Sequence, residues 1–132
     1  MGSKADYHEN KVLELLRGNT FTAPSAVYSA LYTAIPSDSS AGTEVTNASS
    51  GYTRVAVTFC TAGATVAGQT VNTGAVSFVT AAAAYTVVGF ALLDTSTVAA
   101  GNILYWATVT TIAIAIGDQA TIAVGGVVVT ED

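Results

Sequence analysis

The spacing of apolar residues changes period once, at Gly18, and that change divides the chain. Over the first eighteen positions, at about 100° per residue, Ala5, Tyr7, His8, Val12, Leu13, Leu15 and Leu16 fall in one sector. Lys4, Asn10, Lys11, Glu14 and Arg17 fall opposite them. This predicts an amphipathic helix over residues 4–17. Ser3 is placed to cap it, with Asp6 three residues on as a capping-box acid, and Gly18 suits the left-handed residue that ends it. A helix this short is marginal alone in water, so its Val12, Leu13 and Leu16 face must dock on its own domain or on a neighbouring subunit.

Beyond Gly18 a period of two takes over. Ala26 to Ala34 reads as a strand, with Tyr28 and Tyr32 sharing one face with the alanines and Val27 and Leu31 sharing the other. Residues 35–51, dense in Ser, Gly, Pro and Asp, read as a long loop, and a loop of that length is usually functional or disordered. Short strands then follow: Tyr52–Phe59, Thr70–Asn72, Val76–Thr80, Tyr85–Leu93, Ile103–Val109 and the alternating Ile112–Ile116. After a turn at Gly117-Asp118, Gln119–Val124 and Gly126–Val129 supply the last pieces. Tyr85–Leu93 is nearly all apolar, which predicts a central strand covered on both faces and paired as a hairpin with Ile103–Val109. The expected fold is mainly β: an antiparallel sandwich or barrel-like domain of about seven or eight strands with a short N-terminal helix. Residues 1–18 form the amphipathic arm and 19–132 the sandwich, one compact domain overall.

Charge changes this picture. Only 10% of residues are charged, against about 25% in an ordinary soluble domain. Six of the thirteen charges lie in the first eighteen residues, and from Phe59 to Thr130 only Asp94 and Asp118 carry one. A β surface with so little charge does not resist association, and it has no lysines to guard its sheet edges. It suits a subunit whose sides are covered by copies of itself or by another protein. A net charge of −5 with four basic residues excludes a phosphate-neutralising surface, so no nucleic-acid partner is expected. No apolar stretch approaches the ~20 residues of a spanning helix, so no membrane partner is expected either. No signal peptide is read at the N-terminus, which lacks an apolar h-region.

The chemistry is sparse. The one histidine, His8, lies on the helix and reads as a packing residue, since no Ser or Cys partner is identifiable. One histidine and one cysteine, Cys60, leave no His/Cys metal set, and Asp38 and Glu44 lack the spacing of a calcium loop. No cofactor is expected and no enzyme. Tyr52, Tyr85, Tyr105 and Trp106 read as core filling rather than as a sugar platform.

Several segments carry a likeness along nearly the whole chain. They are Lys11–Gly18, Phe21–Pro24, Tyr28–Asp38, Gly42–Val45, Gly51–Val57, Val88–Asp94, Gly101–Trp106, Gly117-Asp118 and Thr130–Asp132. Together they resemble small tailed-bacteriophage virion proteins of the head-decoration or tail-fibre-like type. The resemblance implies a non-enzymatic structural component of the virion. A fibre shaft shows internal repeats or heptads, and none is present, so a capsid decoration or cement protein bound to the major capsid protein is the first expectation. A tail, fibre or collar component is the alternative, ahead of a carbohydrate-binding module. The helix and the 35–51 loop are the elements expected to reach a neighbour, which makes Val12, Leu13, Leu16, Asp38 and Glu44 the candidate interface residues. Association with other virion proteins and with copies of itself, as a trimer, is expected on the capsid exterior or on the tail.

Overall fold

The computed structural model describes residues 3–131. The ends of the expected arm and sandwich, at Met1, Gly2 and Asp132, lie outside them. The centre is an antiparallel sheet built on three long strands, β2 (Val27–Ala34), β7 (Tyr85–Leu93) and β8 (Ile103–Ile114). Strand β7 lies between the other two, with Ala91 opposite Ala30 on β2 and Trp106 on β8. Shorter strands finish the sheet: β1 (Ser3–Lys4) on β8, and β3 (Thr43–Glu44) and β4 (Val55–Val57) on opposite halves of β2. Two ribbons pair β5 (Gln69–Val71) with β10 (Val128–Thr130) and β6 (Val76–Ser77) with β9 (Thr121–Ile122).

The pleat sorts side chains as the alternation predicts. Leu31, Val87, Phe90, Leu92 and Ile114 face the ribbons and pack with Phe78, Val127 and Val129 into the main core. The other face carries Ala30, Tyr32, Ala91, Leu93 and Ile103, closed by Ala5 and Trp106. Strand β7 is therefore covered on both faces over its second half, as its apolar run requires. Asn72 is fully buried where the ribbons meet. Its amide donates to the carbonyls of Gly74 at 2.8 Å and Ala123 at 3.0 Å and accepts from the Val127 N–H at 2.8 Å. One side chain thus fastens the loop at residues 72–74 to the loop at residues 123–127.

Four expectations need correction. The helix α1 spans Asp6–Glu14 and continues as a 3₁₀ turn over Leu15–Arg17. It begins at Ala5 without a side-chain cap, because Ser3 and Lys4 are spent as a strand, opposite Trp106 and Tyr105. Its end is as expected, with Gly18 at φ 77°. The 35–51 segment is not a free loop. It holds β3 and a short helix α2 (Asn47–Ser50), and Pro36 is buried against the sheet near Gly89. The strand read over 52–59 shortens to β4 plus an isolated bridge from Phe59 to Asn72. Finally, Ile103–Val109 and Ile112–Ile114 are one strand: between the pairs Val87–Ile112 and Gly89–Thr108, one residue of β7 faces three of β8. Thr110 and Thr111 broke the alternation because they sit in this bulge.

Candidate functional site

Among the described residues, no group of three His, Cys, Asp or Glu side chains is arranged to hold a metal ion, and no helix is long and apolar enough to cross a membrane. What the chain does present is surface. Val12, Leu13, Leu15 and Leu16 are all exposed, Leu16 at 86%. The helix does rest on its own domain, but through Ala5 and His8 rather than through these residues. His8 lies edge-on to Tyr105 with ring centroids 4.9 Å apart, and Phe21 lies against it at 5.7 Å. The three exposed candidates, Val12, Leu13 and Leu16, thus form an apolar ridge with nothing on it.

A second apolar feature lies at the far end of β8. Among the described residues, β1 pairs with Tyr105 and Trp106, and no strand pairs with the outer edge of β8 beyond them. There the sheet and the ribbons part to leave a cleft of about 580 Å³, lined by Leu31, Val87, Phe90, Val109, Ile112 and Ile122 among others. Ile112 is half exposed, and Ile116 and Val124 stand exposed in the turns on either side of the lining segment 119–122. No charged side chain lines the cleft.

The two acidic candidates are placed differently. Asp38 is exposed but engaged: its carboxylate accepts from Trp106 Nε1 at 3.2 Å, and its carbonyl accepts from the Asp6 N–H at 3.3 Å, tying the loop to the start of α1. Glu44 is buried. Arg54 donates to it through Nε at 2.8 Å and Nη2 at 2.7 Å, a two-pronged ion pair. The Tyr52 hydroxyl and the Ala99 N–H donate to the same carboxylate at 3.1 and 2.8 Å. Arg54 Nη1 reaches the carbonyls of Thr95 and Ala100 at 2.7 and 2.9 Å. Burial works against the charged guanidinium, but the Glu44 carboxylate outweighs it and raises the Arg54 pKa. Burial, then Glu44, pushes Tyr32 up to about 12. This network staples β2, β3 and the 95–101 turn together. It is a structural bolt, and nothing in the spacing of Glu44 and Arg54 announced it.

A smaller polar group closes the base of the helix. Glu131 pairs with Lys4 and accepts from the Tyr105 hydroxyl. Those contacts hold its carboxyl below the usual range although burial alone would raise it. Next to it, burial lowers the pKa of His8, with the Leu104 carbonyl and Glu131 pulling it partly back and Lys4 adding to the fall. Its Nδ1 is buried without a well-formed hydrogen bond. Cys60 is half-buried beside Thr70, Sγ to Oγ1 3.6 Å. The aromatic residues are not a shared platform either. Tyr52 stacks on Phe78 in the core, and Tyr105 and Trp106, adjacent on β8, pack with the clusters on opposite faces of the sheet.

The chain is thus an antiparallel β body that leaves two apolar surfaces uncovered and uses a buried ion pair to fasten a loop to its sheet. A family model described as Podophage GP4 fiber I protein gp80 matches residues 3–130. The chain belongs to that family and is a fibre-type structural protein of a phage virion. No curated protein matches it.

Proposed function

We propose that this chain is a non-catalytic building unit of the tail, fibre or collar of the phage particle. The observation that carries the reading is the family match over residues 3–130, whose description is that of a fibre protein. It favours the fibre reading over capsid decoration, the reverse of the order drawn from the sequence. The near absence of charge from Phe59 to Thr130 supports a body packed against copies of itself, with a trimer the favoured state, and the uncovered Val12, Leu13 and Leu16 support contact through the helix. Asp38 lies at the start of that helix, where its carbonyl accepts from the Asp6 N–H. Glu44 contributes from behind, by fixing the strand that carries the loop. The partners in this reading are other tail proteins.

Capsid decoration is the second reading, with the major capsid protein as partner. A charge-poor unit with a projecting apolar helix is suited to many equivalent sites on a shell. Copy number separates the two. Purified particles are resolved by gel, and this chain is quantified against the major capsid protein. A few to dozens of copies per particle supports the fibre reading. Hundreds would overturn it in favour of decoration, and absence from particles would overturn both.

A further inference from the structure

We infer that residues 3–17 form an arm that lifts off β8 as one unit while the β body stays folded, and that protonation of His8 drives the opening. This goes beyond the fibre reading and holds wherever on the particle the chain sits. The arm buries little. Of residues 3–17 only Ala5 is buried, and neither core cluster includes any other of them. Its polar attachments to the body, among the described residues, sit at its start. Strand β1 pairs with Tyr105 and Trp106, and Lys4 pairs with Glu131. The Ala5 N–H donates to the Leu104 carbonyl at 3.1 Å, and the Asp6 N–H to the Asp38 carbonyl at 3.3 Å. Past Asp6 the hold passes to the half-buried rings of Tyr7 and His8. The helix then ends at Gly18, and residues 19–24 belong to no helix or strand. An element with so few buried contacts and an irregular tether opens at a lower free energy than the core it rests on.

His8 is the chain's one histidine, and it stands in the contact itself. Its ring is wedged between Tyr105 and Phe21, with Nδ1 buried and lacking a well-formed hydrogen bond. The groups around it do not welcome a proton. From β8 come the Leu104 carbonyl and Tyr105, which burial keeps neutral. From the end of the chain comes Glu131, which favours the charged ring but is already engaged by Lys4 and the Tyr105 hydroxyl. Lys4, on the arm itself, opposes the charge, and Cys60 lines the same cavity of about 400 Å³ across from the ring. Burial outweighs Glu131, so the docked ring holds its proton less well than its ordinary value of 6.5. In the open arm the ring is in water and returns to about 6.5. Docking is therefore at full strength above that pH and weakens as pH falls from it to the lowered value. Each unit of lowering makes the docking constant tenfold weaker.

Opening changes what the chain presents. Among the described residues, β1 is the strand paired with the outer edge of β8, so its departure bares that edge at Tyr105 and Trp106. It also uncovers the second core face where Ala5 closed it. The ridge of Val12, Leu13 and Leu16 then moves on a tether, residues 19–26, up to about 28 Å long when extended. Mild acid thus exposes an edge and frees a helix without unfolding the body, a histidine-driven switch built on a two-state element.

The test uses the full chain and amide hydrogen exchange, read residue by residue by NMR and divided by the intrinsic rate at each pH. At pH 7.5 the Ala5, His8 and Glu9 amides should be protected, but at least tenfold less than Ala91 and Leu92 on β7. Low concentrations of urea should lower protection on β7 and leave the arm's unchanged, because opening the arm exposes little surface. Between pH 7.5 and 5 the arm's protection should fall. The size of the fall should match the midpoint of the His8 ring signal, up to tenfold for each unit that midpoint lies below about 6.5. His8→Phe should hold the arm's protection constant over the same range. Far-UV circular dichroism checks that this variant folds; if it does not, His8→Gln replaces it, with a looser arm that is equally insensitive to pH. An arm with no protection at pH 7.5, or with the protection and urea dependence of β7, would overturn the separate opening. Protection that ignores pH, or a variant that keeps the wild-type fall, would overturn the role of His8. All of this is read on purified chain, so its failure leaves the copy-number test of the fibre reading untouched.

Discussion

Arg54 is the position where one truncation should cost most. Replacing it with Ala removes four hydrogen bonds, two to Glu44 and one each to the Thr95 and Ala100 carbonyls. The carbonyls lie on a turn and can find water, but Glu44 stays buried at 8% exposure with its charge uncompensated. Removing one partner of a buried pair costs about 3–5 kcal/mol, against about 1 kcal/mol or less for an exposed pair. For a chain of 132 residues, each kcal/mol moves the midpoint by roughly 3–5 °C, so Arg54→Ala should melt on the order of 10–20 °C lower. Arg54→Lys should recover only part of this, since a lysine cannot span both carboxylate oxygens and two carbonyls together. The double variant Glu44→Gln/Arg54→Met, which buries no charge, should lose less than Arg54→Ala alone. Thermal and urea melts at one matched protein concentration measure all three. A loss under about 1 kcal/mol for Arg54→Ala, or a double variant worse than the single, would refute the claim that this is a buried, structurally committed pair.

Asn72→Ala should cost about 2–4 kcal/mol in a urea melt, because the Val127 N–H and the Gly74 and Ala123 carbonyls lose their shared partner in a site closed to water. His8 should make stability fall as pH falls below about 6.5: with its folded pKa lowered, the unfolded chain binds the proton first, so the native state loses ground down to that lowered pKa. His8→Phe, set between Phe21 and Tyr105, should flatten melting temperature between about pH 7 and 5. It should leave a separate loss at lower pH, as Glu131 protonates below its ordinary range and releases Lys4 and Tyr105.

The parts of the fold readable in advance were those set by local pattern. Tyr85–Leu93 was legible because a buried strand needs an unbroken apolar run, and the face assignment on β2 followed from alternation alone. The helix was legible from its period and from Gly18, whereas its start was not. Ser3 has the chemistry of a cap, yet the distant pairing with Trp106 and Tyr105 claimed it for a strand. Residues 35–51 looked unstructured because their order comes from Arg54 and Tyr52, farther along the chain, and from Pro36 packed on the sheet. Val12, Leu13 and Leu16 were legible as the apolar face of the helix because its period states that face directly, whereas the surface that face meets is not written in the period. Glu44 was grouped with the candidate interface residues, and its burial was not legible because the sequence says nothing of the guanidinium it faces. The cleft beside β8 was invisible for a similar reason, being formed by residues from six separate stretches that only tertiary packing brings together.

The most direct test of the account is where the chain sits on the particle. Gold-labelled antibody against this protein, viewed on intact phage by electron microscopy, should mark the tail, its fibres or its collar. Label spread evenly over the head, or particles bearing none, would contradict it.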